Sequence, residues 1–411
     1  MTLPALMIIR VAVSSVVPVV RIFANRISSR TGWCTAIAGC LQGLNLRILI
    51  TNAELGVPSG TTVYVRDLAL ELKRRGHEPV VYTLVLGAIA RELLDAGIFV
   101  TRHLERIKID PDVIHGHHRL PTSRTLRRFP SVPAIYICHD HTSYHSRPVF
   151  GPQVRRYFGV SRLCIARLIH DGIPPEAAEL ILNFVDTRRF VARAGLPPRA
   201  RRALIFSNYA HARTHLPAVA EACRRAGLEF DVVGKSSGNC VARPESVLWR
   251  YDLVFAKAKA SMEAMATGAA VVLCDFGGVG PIVTPENFER LRLVNFGFEA
   301  LVDPLTPESV LRQMECYDPE DAARVCTKIH STAGLDSAVE HLLTIYEEVI
   351  GAKDVSATAP VRRNSQARAV GALDVARSVL FAYSLILPTS ARMALKNTPG
   401  VAALWKRLQG Q

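Results

Sequence analysis

The segment 46–83 constrains the fold more than any other stretch, because it contains a complete strand, glycine loop, helix and second strand. An apolar run at 48–50 is typical of a buried parallel strand, and a loop of glycine, proline and serine follows at 56–60. The helix that begins there carries apolar side chains at positions 65, 68, 69 and 72, with Arg66 and Glu71 on the opposite, polar face. This pattern predicts a parallel strand–helix–strand unit.

The glycine loop is a suitable place for an anion. Free N–H groups and the positive end of a helix dipole meet at such a loop. Its sequence, GVPSG, is neither the GxGxxG of dinucleotide-binding folds nor the GxxxxGK[ST] of P-loops. Two interpretations therefore stay open, a phosphate site and a tight turn without a ligand.

Composition narrows the choice of partners. The 411 residues are enough for two or three domains, and a formal net charge of +14 favours anionic partners. No run of Arg and Lys is interleaved with aromatic residues and no zinc-finger spacing is present, so no nucleic acid partner is expected. The nine cysteines include no CxxC, which indicates reduced thiols in a cytosolic protein.

A stretch rich in arginine and proline at 191–202 divides two series of alternating strands and helices, and we interpret it as a linker. The predicted organisation is an N-terminal extension, a first domain, the linker, a second domain and a basic, apolar helical tail; the ranges are 1–45, 46–190, 191–202, 203–350 and 351–411. The extension has three interpretations: a surface helix, a poor signal anchor, or upstream sequence from a mis-assigned start codon. We expect the tail to pack on the first domain with peripheral contact to an anionic membrane surface.

Histidines are concentrated in the first half. Six of the thirteen lie between positions 115 and 145, after two apolar runs, at the edge where open α/β sheets usually bind ligands. The pattern HxH occurs at 115/117 and at 139/141, but no HExxH is present. A metal site, a metal-free ligand or catalytic histidine, and structural histidines all remain open.

The most informative part of the second half is 251–280. Lys257 and Lys259 precede a predicted helix, whose dipole would help them to neutralise a diphosphate without a metal ion. Glu263 is predicted in the first turn of that helix, and Ser261 as its cap. The alternative is a solvated lysine pair and a glutamate that merely favours the helix N-terminus.

These segments, taken in order, resemble a known family. The loop GVPSG with its helix, then PDVIHGHH, ICHD, NFVDTRRF and SMEAMATGAAVVLCDFGG are similar to segments of GT-B glycosyltransferases, in particular family four of retaining, nucleotide-sugar-dependent enzymes. The resemblance covers 46–350 and implies two Rossmann-like α/β domains facing across a cleft, with the acceptor mainly on the first and the nucleotide on the second. It implies metal-independent transfer of a sugar from a nucleotide diphosphate to an unknown acceptor, with no cofactor.

The resemblance also implies roles for single residues. His139 would approach the transferred sugar and is the candidate catalytic residue, while Glu263 would hold the ribose hydroxyls. The other candidate donor-binding residues are Gly60, Asn208, Lys257, Lys259, Gly277 and Gly278. The candidates on the acceptor side are Thr61, His115 and His117. No metal ligand is proposed.

The sequence departs from the family pattern at two single residues and in one segment. Phe255 stands where a glutamate usually precedes Glu263 by eight residues, SNYAHART replaces the usual Arg and Lys after the first strand of the nucleotide domain, and Phe184 replaces a glycine. The missing glutamate leaves a non-catalytic nucleotide-binding scaffold as one alternative function. The histidines at 115–145 leave a metal-dependent hydrolase as the other. We expect a cytoplasmic protein of cell-envelope or glycan biosynthesis, peripheral on the inner membrane face.

Overall fold

The computed structural model describes residues 45–352, which form two α/β sheets with predominantly parallel strands. The predicted N-terminal extension and the helical tail lie outside the described residues, apart from the residues that border them. The two sheets and their helices are the two predicted Rossmann-like domains.

The first sheet has seven parallel strands in the order β3-β2-β1-β4-β5-β6-β7. β5 and the middle of β1 are continuous apolar runs, as expected of strands that are buried on both faces. The strands are β1 Arg47–Asn52, β2 Glu78–Thr83, β3 Phe99–Thr101, β4 Val113–His117, β5 Ala134–Cys138, β6 Val154–Gly159 and β7 Ala178–Leu180. The helices are α1 Gly60–Arg74, α2 Ala88–Asp95, α3 Arg119–Arg128 and α4 Arg162–His170.

The second sheet has five strands in the order β12-β11-β10-β8-β9, and only β12 is antiparallel to its neighbour. The strands are β8 Arg202–Phe206, β9 Glu229–Val233, β10 Leu253–Ala256, β11 Ala270–Asp275 and β12 Gly278–Ile282. The helices are α5 Leu216–Arg225, α6 Glu245–Leu248, α7 Lys259–Ala266, α8 Phe288–Leu293, α9 Pro307–Met314, α10 Pro319–Thr332 and α11 Leu335–Gly351. Across the described part of the chain, no helix combines the length and apolar character that a membrane span requires.

Helix α11 returns to the first domain. The sequence-based division assigned 335–350 to the second domain, but Val339, Leu342 and Tyr346 of this helix are buried in the core of the first sheet. The parallel bridge between Val185 and Gly334 places the start of α11 beside the end of the first domain. The chain thus crosses between the two domains twice, once before and once after the second sheet in sequence, and the two crossings lie side by side at Val185 and Gly334.

Helix α1 is buried on both faces over most of its length, which corrects the expectation of an exposed polar face; its last turn, with Lys73 and Arg74, is exposed. Arg66 and Glu71 are only 3% and 1% exposed. Glu71 accepts hydrogen bonds from Arg74 and from Arg188, which lies in the segment 181–201 between β7 and β8, called the connecting segment below. Arg74 also bonds Asp336 at the start of α11. The polar face is covered because the connecting segment and α11 pack over it.

Candidate functional site

Loops that follow strands of both sheets meet along one cleft. The side-chain amide of Asn208, after β8, donates a hydrogen bond to the carbonyl oxygen of Pro58 in the glycine loop, at 3.1 Å. Its amide oxygen accepts one from the backbone N–H of Lys235, at 3.0 Å. The ring centres of His141, after β5, and Phe298 of the second domain are 6.1 Å apart. The carboxyl ends of both sets of strands therefore face each other, where open α/β sheets usually bind ligands.

A buried cluster of charges joins the domains beside this cleft. Asp67, in α1, pairs with Arg66 at 2.6 Å and with Lys259 of α7 at 3.1 Å. Arg189, in the connecting segment, lies 3.5 Å from the same carboxylate. The side chains of Arg66, Asp67 and Lys259 are at most 7% exposed, so their charges interact strongly. We call these four residues and Glu263 the Asp67 cluster.

Within this cluster, the positive charge of Lys259 is balanced by the carboxylate of Asp67. Its ammonium group also donates a hydrogen bond to the carbonyl oxygen of Phe184, at 3.0 Å, and lies 5.0 Å from the centre of that ring. Burial opposes ionisation of Asp67, but the attraction of Lys259 and Arg66 outweighs it and lowers the pKa of that carboxyl. A donor diphosphate would therefore have to compete with Asp67 for Lys259.

The turn between β10 and α7 explains why the two lysines have different partners. Lys259 is the first residue of α7, and the cap is Ala258, whereas the sequence predicted a later start with Ser261 as the cap. Ser261 instead donates a hydrogen bond from its hydroxyl to the carbonyl oxygen of Ala258, at 2.6 Å. Ala258 has a φ of 53°, which is uncommon for a residue with a side chain. This left-handed turn directs Lys257 to the second sheet and Lys259 to the first domain.

Glu263 lies one turn further along α7. It is 6% exposed, and its carboxyl group forms no hydrogen bond with any residue of 45–352. Burial raises the pKa of Glu263 to about 7; Lys259 opposes this increase and Asp67 adds to it. A buried carboxyl group without a partner is costly, so a ligand that donates hydrogen bonds to it would be stabilised there.

The second feature of the cleft is a row of three histidines. His115 and His117 lie on one face of β4, and His139 follows β5. Nδ1 of His117 and Nε2 of His139 are hydrogen-bonded at 2.8 Å. The hydroxyl of Tyr346 in α11 bonds Nδ1 of His115. The ring of Tyr64 packs against His117 and His139, with ring centres 5.2 and 4.9 Å apart. We call these three histidines the histidine row.

Burial keeps the histidine row neutral at physiological pH. It lowers the pKa of His115 and of His139 to about 3, and that of His117 well below its ordinary value. His139 is partly exposed, and its Nδ1 has no hydrogen-bond partner within the described residues. The ring of Tyr64 packs against both His139 and Phe184, with ring centres 4.9 and 4.6 Å apart, and the ammonium group of Lys259 lies over Phe184. Glu263 is one turn from Lys259 in α7, so this chain of contacts links the helix of Glu263 to His139. A neutral imidazole at this place can donate or accept a hydrogen bond to a sugar hydroxyl.

Lys257 marks a second, more exposed part of the cleft. Its ammonium group is 2.8 Å from Asp275 and 4.2 Å from the ring centre of Phe298, and its side chain is 15% exposed. The exposed rings of Tyr209 and Phe276 pack edge to face, with centres 5.5 Å apart. These residues follow the carboxyl ends of β8, β10 and β11. A cation among aromatic rings suits a ligand that combines a flat base with negative charge.

The candidate glycines differ in how much space a side chain would find at each position. Gly60 begins α1, beside the partly buried Thr61, and a Cβ added at Gly60 would meet no atom within 4 Å. Space is therefore open at this helix N-terminus. A Cβ at Gly277 would approach the ring of Phe298 to 2.9 Å, and one at Gly278, with a φ of 143°, would lie 2.7 Å from a backbone carbonyl oxygen. Packing alone explains these two glycines, and their contact with a donor stays a prediction.

The histidine cluster does not provide a set of metal ligands. No group of three or more His, Cys, Asp or Glu side chains between residues 45 and 352 is arranged to hold a metal ion. The alternative of a metal-dependent hydrolase thus lacks a ligand set in the part of the chain that the structure describes.

Comparison with protein families identifies the first domain. Residues 58–189, which include the end of the glycine loop, α1 and the histidine row, match the model of Glycosyltransferase Family 4. The protein therefore has the GT-B fold, with a first domain that matches Glycosyltransferase Family 4. The sequence matches no curated protein.

Among the solved structures with the same fold are two whose chains align with this one over nearly their whole length. A glycosyltransferase from Rickettsia africae ESF-5 has 13% identity and a TM-score of 0.56, and the match covers 75% of this chain and 100% of that chain. HepE from Anabaena, solved in complex with UDP-glucose, has 14% identity and a TM-score of 0.52, over 73% of this chain and 99% of that chain. HepE has also been solved with UDP and with UDP and glucose.

Sequence reasoning missed several residues of the cleft. Asp67 is one of several charged residues on an amphipathic helix, and nothing in the neighbouring sequence distinguishes it as the partner of Lys259. Asp275 ends a buried strand, where a lone carboxylate could have been noticed as facing the ligand edge. His215 lies 3.5 Å from Asp275, and neither of its ring nitrogens has a hydrogen-bond partner in the described chain. Burial lowers the pKa of His215.

Proposed function

We propose that this protein is a retaining, metal-independent glycosyltransferase that moves a sugar from a nucleotide diphosphate to an acceptor held mainly by the first domain. The observation that carries this proposal is a chain of contacts between α7, which carries Glu263, and the histidine row. Lys259, one turn before Glu263, lies 5.0 Å from the ring centre of Phe184. The ring of Tyr64 packs against both Phe184 and His139. UDP-sugars are the first donors to test, because HepE has been solved with UDP-glucose.

Glu263 is suited to hold the ribose of the donor. Its buried carboxyl group lacks a partner within the described residues, and the two ribose hydroxyls would donate hydrogen bonds to it. When ionised, it would accept both bonds, and charge-assisted hydrogen bonds are roughly twice as strong as neutral ones.

Lys257 is better placed than Lys259 to stabilise the leaving diphosphate. It is the more exposed of the two, and its partner Asp275 is separate from the Asp67 cluster. As the bond to the sugar breaks, negative charge develops on the diphosphate, and a positioned ammonium group lowers the energy of that transition state. The open helix N-terminus at Gly60 would add N–H groups.

His139 would contact the sugar as a neutral hydrogen-bonding group. His117 orients its ring through the 2.8 Å bond, which leaves Nδ1 for the ligand. Because burial holds the imidazole neutral, it would orient a sugar hydroxyl instead of acting as a general acid near neutral pH.

A nucleotide-binding scaffold without turnover is the second candidate. Phe255 lies inside β10 and is fully buried, so the position eight residues before Glu263 offers no group to the cleft. The glutamate usual in the family thus has no replacement at this position.

Two measurements separate the candidates. A thermal-shift screen of UDP, GDP and ADP tests binding, since a ligand at 100 times its dissociation constant stabilises by about 2.7 kcal/mol. Incubation of the protein with the matching nucleotide sugars and mixed acceptors, with EDTA present, tests transfer, and NMR of the product gives the anomeric configuration. Binding with transfer supports the enzyme, binding without transfer supports the scaffold, and no binding contradicts both.

A further inference from the structure

A groove of about 460 Å³ lies in the first domain between α3 and the segment that follows β3. Four arginines line it: Arg102, Arg124, Arg127 and Arg128. The other lining residues are Tyr82, Leu104 and Glu105, and none of the seven belongs to the cleft described above. We call it the arginine groove.

The fold explains why these arginines converge. Helix α3 packs on β4 and β1 through buried residues that include Leu126. This contact leaves Arg127 and Arg128 exposed and Arg124 partly exposed. Arg102 directly follows β3, which pairs with β2, and Tyr82 of β2 lies opposite Thr101 in that pairing. Three elements that are distant in sequence therefore contribute to one groove.

Among the described residues, the positive charge of the groove is compensated only in part. None of its four guanidinium groups forms an ion pair with a carboxylate of residues 45–352, and Glu105 is paired with His103 at 3.1 Å. The lining therefore has an excess of three positive charges. Guanidinium groups match phosphate oxygens in geometry as well as in charge.

Tyr82 is an independent sign of a ligand. It is 2% exposed, yet its hydroxyl has no hydrogen-bond partner in the described part of the chain, and the residue lines the groove. The hydroxyl is not among the fully buried polar atoms that lack a partner, so it is accessible from the groove and can donate a hydrogen bond to a ligand there. An oxygen of a bound anion would accept this hydrogen bond.

We propose that the arginine groove binds a phosphate-bearing ligand, with the guanidinium groups around the phosphate and the hydroxyl of Tyr82 donating to one of its oxygens. The site is separate from the donor cleft and does not depend on the proposed transfer reaction.

The phosphate could belong to a soluble molecule or to an anionic lipid headgroup. The strand pairing places Phe99 and Val80 on the same sheet face as Tyr82, and Phe99 is 46% exposed. An exposed aromatic residue on that face would suit the apolar part of a lipid. The experiment therefore includes an arm for each source.

The first arm measures the affinity of full-length protein for pyrophosphate by isothermal titration calorimetry. The triple variant R124Q/R127Q/R128Q should bind at least about tenfold more weakly, because it loses several charge-assisted hydrogen bonds. Tyr82→Phe should weaken binding by about tenfold, since it loses one hydrogen bond to a charged group. The matched control R199Q/R250Q/R290Q removes three exposed arginines elsewhere and should change the affinity less than twofold, as exposed charges contribute little.

The second arm measures flotation with phosphatidylcholine vesicles, with and without phosphatidylglycerol. Binding to the anionic vesicles that the groove triple variant loses and the control triple variant keeps would assign the site to a lipid headgroup. Pyrophosphate binding without vesicle binding would assign it to a soluble phosphate.

A titration of K257M distinguishes this site from the donor cleft. If pyrophosphate binds the groove, K257M should bind it with the affinity of the parent protein. Combining K257M with R124Q/R127Q/R128Q in one chain should then reduce the affinity as much as the triple substitution does alone. Equal losses in the groove and control variants, or unchanged binding in both arms when circular dichroism shows folded protein, would overturn the proposal.

Discussion

Lys259 and Asp67 form a buried ion pair between the two domains, with 3.1 Å between the ammonium nitrogen and the carboxylate oxygen. Lys259 belongs to the helix that carries Glu263, and Asp67 to the helix that begins at the glycine loop. One contact therefore links the candidate nucleotide-binding helix to the first domain.

Removal of the carboxylate of Asp67 should strongly destabilise the fold. Asp67→Asn leaves Arg66 and Lys259 buried without their counter-charge, and breaking a buried pair in this way typically costs about 3–5 kcal/mol. Urea denaturation followed by fluorescence measures the loss. Glu221→Gln is the matched control, because Glu221 pairs with Arg224 on the exposed surface, and it should change the midpoint little. Equal midpoints for the two variants would contradict a structural role for the pair.

Glu263 should make stability depend on pH with a definite sign. The pKa of its carboxyl is about 7 in the folded protein and 4.5 in an ordinary environment, so the unfolded state ionises first as the pH rises. The free energy of unfolding should therefore fall progressively between about pH 4.5 and 7 and stay constant above, and the total loss due to Glu263 should be about 3 kcal/mol.

Glu263→Gln removes this titration. The difference in unfolding free energy between the variant and the parent should grow from pH 5 to pH 7 and then level off. Urea unfolding at a series of pH values measures it, and a difference that is flat over this range would show that Glu263 is ionised at pH 5. The same variant should weaken the binding of UDP above pH 7 more than at pH 5.5, because only the ionised carboxylate accepts two charge-assisted hydrogen bonds.

His139→Gln should reduce sugar transfer without loss of nucleotide binding. We expect a decrease in kcat of about 100-fold, the usual effect of removing one positioned hydrogen-bonding group from a transition state. Because burial lowers the pKa of His139 to about 3, its ionisation should cause no inflection of the rate between pH 5 and 8. His170→Gln is the control, since that side chain is 82% exposed. A normal kcat in His139→Gln would remove the residue from the site.

Lys257→Met should weaken the binding of UDP but leave that of uridine unchanged. The ammonium group can contact the diphosphate, and the loss of such a charge-assisted contact corresponds to about a tenfold change in Kd. Asp275→Asn should have the opposite effect, because Asp275 competes with the diphosphate for Lys257 at 2.8 Å. Calorimetric titrations measure both, with Lys328→Met as an exposed control. Equal effects of K257M on UDP and uridine would contradict a contact with the diphosphate.

Much of the first half of the fold could be predicted because its signals are local. The apolar runs of β1, β2 and β5 alternate with a helix of regular periodicity, and parallel pairing follows from that alternation. The strand β6 was not predicted, because its sequence, VRRYFG, places two arginines between apolar residues. β12 was missed since GVGPI has the composition of a loop, and it forms a strand only by pairing with β11.

The candidate site was predictable only in part. The positions of Glu263 and His139 after parallel strands followed from the sequence and its family resemblance, since strand ends converge at one sheet edge. The partner of Lys259 did not follow, because pairing with Asp67 requires the second domain to dock on α1.

The sequence by itself determined two series of parallel strands and helices and the edge at which their polar side chains gather, because periodicity and burial act over a few residues. Only the tertiary structure decided that α11 returns to the first core, that both faces of α1 are buried, and that Lys259 is neutralised while Lys257 is more exposed. These outcomes depend on contacts between segments far apart in the chain, whose charges and surfaces meet only once the domains are docked.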